Sequence, residues 1–312
     1  MIFLDQVIGQ LQAVTLLRQA IATDKIAPAY LFSGTAGIGK SLTARGFSTE
    51  LMTQGVAVED QQLIRYKLYK NNHPDLLWVE PTYQHQGKLY TPSQAKEAGL
   101  KRKAPPQIRI EQIRQISEFL GRPALEAPRC MVVIEEAQTM AEAPANALLK
   151  TLEEPGDATI VLLVPSADSI LPTLVSRCQK IPFYRLSQAD VAHILQEKGY
   201  QHILEDDTIL AIAQGSPGEA IATYELLSNV PQELLSRLKT FPNNPLQALT
   251  LAKDLCSALD TEVQMRLIDY LQYQYWQGTG QRQLVEKLEQ TRKYLRGYVQ
   301  PRLVWENFFL GN

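Results

Sequence analysis

Cysteine is scarce in this sequence, with Cys130, Cys178 and Cys256 the three present in 312 residues. Their wide separation excludes a disulfide framework and a cysteine-built metal cluster. Free cysteine packs as a small hydrophobe, so three buried, reduced thiols are expected. Long apolar runs are missing as well. Stretches such as "IVLLV" at 160–164 fall far short of the roughly 20 residues that a membrane span needs. The opening "MIFLDQVIGQ" carries Asp5 early and lacks the basic flank and apolar core of a secretory signal, so a cytoplasmic protein is expected. Excess charge of one sign is also absent. The formal net charge of −2 exerts no global pull on nucleic acid, so any DNA contact must come from a local patch. There is no internal repeat and no low-complexity tract.

The composition that remains, 45% hydrophobic and 21% charged, is that of a globular chain. Its length suggests two or three domains at roughly 100 to 200 residues each. Residues 7–22 place Leu11, Val14, Leu16, Leu17 and Ile21 near helical spacing, which predicts a helix with one apolar face. Short apolar runs then predict buried strands: "YLFSG" (30–34), "LLWVE" (76–80), "CMVVIE" (130–135), "TIVLLV" (159–164) and "QKIPF" (179–183). Helical patterns separate them, at 40–52, 108–120 and 143–154. Buried strands alternating with helices imply an α/β domain with a parallel sheet over residues 1–186.

Beyond Phe183 no run reads as a buried strand. Ser187 and Asp190 in "LSQADVAHILQ" cap a helix, opening a small helical domain at 187–230. The breaks "NVPQE" and "FPNNP" lead into a third, helical block at 231–312. Its aromatic patches "YLQYQYW" and "VWENFF" have helical spacing and few interleaved basic residues, which favours core packing over a platform for single-stranded nucleic acid. Residues 81–107 are polar and proline-rich and read as a long surface loop, whose run Lys101, Arg102, Lys103 is open to phosphate contact or plain solvation.

The chemistry concentrates in "GTAGIGKS". Gly34, four residues, Gly39, Lys40 and Ser41 fit the phosphate-binding loop. Gly34, Gly37 and Gly39 let backbone N–H groups close on a β-phosphate, while Thr35, Ala36 and Ile38 complete the turn. Lys40 brings a cation to the β and γ phosphates, Ser41 a hydroxyl for Mg²⁺, and the following helix its positive end. ATP or ADP with Mg²⁺ is therefore the expected ligand, against a plain glycine turn. In "MVVIEEAQTM" a buried strand ends in Glu135 and Glu136. These are either solvated strand-end acids or, beside such a loop, the acid that holds the Mg²⁺ shell and the one that orients water.

With these residues, "HPDLLWVEP" (73–81), "IRIEQIRQI" (108–116), "NALLKTLEEP" (146–155), "LPTLVSRC" (171–178) and "GSPGEA" (215–220), the chain resembles the clamp-loader branch of the AAA+ ATPases over essentially its whole length. The resemblance implies an AAA+ P-loop domain, a helical lid and a helical collar for oligomerisation. It implies a role in DNA replication in a five-membered ring with gamma/tau and delta subunits, which sets a sliding clamp on primed DNA. It extends the nucleotide site to Val7 and Ile8 and makes Arg177 of Ser-Arg-Cys an arginine finger acting in trans. The departures are specific. Gly218 stands where hydrolysing relatives carry a sensing arginine, Pro165 and Ser166 where they place Thr or Asn, and Glu135 where they use Asp. Residues 48–75 lack the cysteines of a zinc module, so no zinc is expected. The expectation is a subunit of the polymerase holoenzyme that binds nucleotide with little turnover of its own. The alternative is a self-sufficient, gamma/tau-like ATPase.

Overall fold

A computed structural model describes residues 3–100, 105–154, 156–279, 282–297 and 299–311. The chain divides into two compact units, residues 1–190 and 191–312.

In the first unit the elements follow as α1 (Leu11–Ala22), β1 (Ala29–Ser33), α2 (Lys40–Met52), α3 (Val58–Tyr69), β2 (Leu76–Val79), β3 (Tyr83–His85), β4 (Lys88–Tyr90), α4 (Pro92–Glu97), α5 (Ile110–Leu120), β5 (Met131–Ile134), α6 (Glu142–Glu153), β6 (Thr159–Val164), α7 (Pro172–Val175) and β7 (Gln179–Pro182). Five strands form one sheet in the order β2-β5-β6-β1-β7, every neighbouring pair parallel. All of β5 and β6 and most of β1 are buried, as continuous apolar strands covered on both faces must be. Helices α5 and α6 cover one face through Ile113, Ile116, Leu148 and Leu152.

The expected strands are all present, and α2 spans the expected residues. Three expectations are corrected. Leu11 does not join the apolar face of α1: it is 80% exposed, and Ala13, Val14 and Leu17 are the buried side. Residues 81–107 are not one loop. Gln86 and Gly87, both at positive φ, turn β3 back on β4 as an antiparallel hairpin, and Thr91 and Gln94 form a capping box that starts α4. The run Lys101, Arg102, Lys103 lies outside the described residues. Of the cysteines, Cys130 is buried, while Cys178 and Cys256 are only partly so; all three are free, and burial pushes the thiols of Cys178 and Cys256 up to about 11.

The second unit is helical. The boundary falls within α8 (Gln188–Glu197), whose cap is a mutual bond of Ser187 and Asp190. There follow α9 (Asp207–Ala213), α10 (Pro217–Ser228), α11 (Gln232–Lys239), α12 (Pro245–Ala258), α13 (Thr261–Thr279), α14 (Arg282–Arg296) and α15 (Pro301–Leu310). Trp305, Phe308 and Phe309 on α15 are buried, with the Trp305 indole donating to Gln264 at 2.8 Å, and Tyr275 donates its hydroxyl to Leu238 O. These aromatics pack a core, as their spacing indicated; Trp276 alone of the two tryptophans in this unit is exposed.

A buried carboxylate ties the start of β2 to the 125–127 segment that precedes β5. Asp75 accepts from the backbone N–H of Leu125, Glu126 and Ala127 at 2.7–2.8 Å. Beside it His73, also buried, accepts through Nδ1 from the Asp75 N–H. Burial holds the His73 pKa below its ordinary 6.5, against the pull of Asp75 and Glu126. The neutral ring is therefore the folded form. As pH falls below 6.5 the unfolded chain takes up a proton there before the folded chain does, so stability is lost on acidification and kept above that range. Urea unfolding at pH 7.5 and pH 5.5 is expected to show this loss in the wild type, and a smaller loss in His73→Asn; equal pH slopes would show that His73 is not linked.

Candidate nucleotide site

Because the strands are parallel, their carboxyl ends share one edge, and the crevice there is where open α/β sheets bind ligands. The 34–41 loop leaves β1 at this edge, Glu135 and Glu136 follow β5, and Pro165 and Ser166 follow β6. Pairing fixes the level: Ser33 lies opposite Val164, and Ile134 opposite Leu162. Gly34 N–H extends the β1–β6 ladder by one bond, to Val164 O at 3.1 Å.

Glycine at 34 is a steric requirement, since a Cβ there would stand 2.6 Å from both the Ile38 side chain and Phe183 O. Gly37 (φ 72°) and Gly39 (φ 103°) take left-handed backbone, and Gly39 serves as N-cap of α2. Thr35, Ala36 and Gly37 are exposed at the tip while Ile38 is buried beneath. Lys40 Nζ lies over the loop, donating to Gly34 O at 2.5 Å and Thr35 O at 2.7 Å, and Ser41 follows in the first turn of α2. An exposed glycine-rich tip, a lysine over it and a helix start behind it fit a nucleotide's phosphates.

The loop is held from below by Gln10, which sequence reasoning missed. Its side chain, 2% exposed, donates to Ile38 O at 3.2 Å and Tyr184 O at 2.7 Å and accepts from Tyr184 N–H at 3.2 Å. One amide thus fastens the loop to the segment that leaves β7. Val7 and Ile8, both half-buried, lie just upstream, before Gly9 at φ 76°.

Glu135 is half-buried and accepts from the Trp78 indole N–H at 3.1 Å, so one of its oxygens is already engaged. The Arg45 guanidinium lies 4.2 Å above the Trp78 ring. Burial, reinforced by Glu135, raises the pKa of Glu80 at the end of β2, and Arg45 opposes the shift. Glu136 is exposed at φ 46°, its carbonyl accepting from Thr139. Ser166 Oγ accepts from Asp168 N–H and caps a turn.

Arg177 is not brought to this edge. It precedes β7, at the amino ends of the strands, and Gln179 pairs with Tyr30 whereas Phe183 reaches the level of Gly34. The three steps from Gln179 to Pro182 alone separate the two levels by on the order of 10 Å. There Arg177 donates to Thr173 O at 3.1 Å and pairs with Glu153 at 2.7 Å, its side chain 37% exposed. In the second unit Gly218 lies in the first turn of α10, and the neighbouring Glu219 pairs with Arg266 at 3.4 Å.

Residues 9–187 match the family described as "DNA polymerase III, delta subunit", and residues 189–312 match "Cyanobacterial DNA polymerase III delta prime, C-terminal domain". The chain belongs to the delta-prime family of DNA polymerase III subunits. It is 31% identical over 199 residues to DNA polymerase III subunit delta' of Pseudomonas aeruginosa and 30% identical over 192 residues to that of Bacillus subtilis, each match covering 61% of this chain. It spans about half the length of these relatives, 54% and 52%. A tau/gamma subunit from Haemophilus influenzae is 26% identical over 68% of the chain and 28% of its own length. In fold, the crystal structure of a gamma subunit-related protein from Thermotoga maritima matches with TM-score 0.56 at 18% identity, covering 96% of this chain and 97% of that one. A delta-prime family member with a five-stranded parallel sheet and a helical C-terminal region is thus established. Among the described residues no helix is long and apolar enough to cross a membrane, and no group of three metal-ligating side chains occurs.

The Gln10 clasp makes a direct prediction. Gln10→Leu takes the donor from the buried Ile38 C=O and opens both part-buried bonds to Tyr184, at a cost of about 1–3 kcal/mol. Chemical denaturation should show that loss, with faster hydrogen exchange at Tyr184; an unchanged midpoint and unchanged exchange would mean the clasp holds nothing.

Proposed function

We propose that this chain is a ring member of a clamp loader that binds ATP or ADP with Mg²⁺ at Gly34–Ser41, turns it over slowly, and presents Arg177 to the nucleotide of a neighbouring subunit. Its partners in this reading are gamma/tau and delta subunits, the sliding clamp and primed DNA.

The observation that carries the reading is the polarity of the sheet. Gly34 and Lys40 lie at the carboxyl edge and Arg177 at the amino edge, so Arg177 is poorly placed for its own loop but available to another chain's. Glu153 and Thr173 O orient the guanidinium without burying it. A planar, permanently charged group suits developing phosphoryl charge. At the loop, backbone N–H groups and Lys40 would hold the phosphates and Ser41 the metal, with Glu135 contributing through its oxygen not taken by Trp78. Bound Mg²⁺ neutralises phosphate charge; that is its part in the chemistry. Slow turnover follows from Gly218, from Glu219 being paired with Arg266, from Pro165, and from Ser166 being committed to a cap. The same features weigh against a self-sufficient, gamma/tau-like ATPase.

Equilibrium binding of labelled ATP is expected to weaken at least about tenfold in Lys40→Ala, in line with loss of a charge-assisted bond; equally weak signals from both proteins would leave the loop without a nucleotide. Reconstituted with its partner subunits, Arg177→Ala should lower loading-coupled hydrolysis by about 10³ or more while the assembly stays intact. Unchanged loading would remove the trans role.

A further inference from the structure

We propose that the cavity between α2 and α3 docks an acidic segment of a partner protein, whose carboxylate lies between Arg45 and Arg65. This site is separate from the phosphate loop. The cavity has a volume of about 340 Å³, and no acidic side chain is among the described residues that line it. Its floor is apolar, formed by Leu68 and Leu76. Ser48 and Thr49 also face it, but their hydroxyl hydrogens are spent on the carbonyls of Ala44 and Arg45 in their own helix. Recognition therefore falls to the two guanidiniums and the amide of Asn71.

Each guanidinium keeps donors in reserve. Arg45 gives Nη1 to Asn71 Oδ1 at 2.5 Å, and Arg65 gives Nη2 to Gln61 Oε1 at 2.9 Å, out of five N–H groups apiece. Arg45 already feels Glu80 from outside the cavity, but no acid among the described residues lines the cavity itself, so an anion entering it meets both guanidiniums without a competing carboxylate on its walls. Asn71, at φ 53°, ends α3 and so holds its amide against Arg45.

The rim argues for a protein segment rather than a nucleic acid strand. On α3, Leu63, Tyr66 and Tyr69 succeed one another at a spacing of three and are 53%, 53% and 61% exposed, with the Lys70 ammonium 5.6 Å from the Tyr69 ring. Tyr69 lines the cavity and Leu63 and Tyr66 are exposed on the same helix outside it, so a segment in which acidic and apolar side chains alternate meets apolar as well as cationic groups there. A polyphosphate strand following α3 would meet Glu59 and Asp60, both exposed in its first turn.

The test uses the full chain and a fluorescein-labelled hexapeptide, Asp-Phe-Asp-Leu-Asp-Phe, followed by fluorescence anisotropy. Labelled dT12 and inorganic phosphate as competitor form the other arms. Arg65→Gln removes one cation. Asn71→Asp, which tolerates positive φ, places a carboxylate on Arg45 and so fills the anion position from within. Both are expected to weaken the peptide at least about tenfold at unchanged melting temperature, while Lys150→Gln, on α6 and not among the residues lining the cavity, leaves binding as in the wild type. Absence of peptide binding, or binding indifferent to both variants, would overturn the proposal. Tighter, variant-sensitive binding of dT12 would reassign the cavity to nucleic acid, and displacement of the peptide by phosphate at equal concentration would reduce it to a general anion site.

Discussion

All five strands of the central sheet run in one direction, and the placement of every candidate functional group follows from that polarity. Strand ends deliver the 34–41 loop, Glu135 and Ser166 to one edge; the turn before β7 delivers Arg177 to the other. A parallel sheet needs a crossover between each pair of neighbours, and here those crossovers are the helices that bury it on both faces. The same helices carry the partners of the site. Helix α2 supplies Lys40 and Ser41 at its start and Arg45 one turn later, and α6 supplies Glu153 at its end, where it meets Arg177.

Within that frame the 34–41 loop is held by close contacts at its start. Gly34 is confined by Ile38 and Phe183, and Ile38 is in turn held through its carbonyl by Gln10. Loop, N-terminal segment and the exit of β7 therefore share one buried amide. On the other side, Arg45, Trp78 and Glu135 form a contiguous series from the α2–α3 cavity to the end of β5.

Much of this was legible in the residues themselves. Continuous apolar runs such as 159–164 announce buried strands because both faces are covered, and the glycine spacing of 34–39 announces a turn whose backbone takes left-handed conformations. What escaped depends on distant partners or on local turn chemistry hidden in a polar stretch. Gln10 bonds residues 28 and 174 positions away, which no local pattern reveals. Trp78 reads as one more apolar strand residue until its indole is seen to reach Glu135. The 83–90 hairpin is held by a Gln-Gly turn within an otherwise hydrophilic segment, where alternation is too short to register. Leu11 matched the helical period but precedes the turn of α1 that packs, so it stays in solvent.

The claim on which the account rests is that Arg177 serves a nucleotide other than the one gripped by Lys40. A structure of the assembled subunits with a non-hydrolysable ATP analogue measures this directly. The account predicts the Arg177 guanidinium within about 3 Å of a γ-phosphate held by the adjacent subunit's loop. An Arg177 lying away from every subunit boundary, or on this chain's own nucleotide, would contradict it.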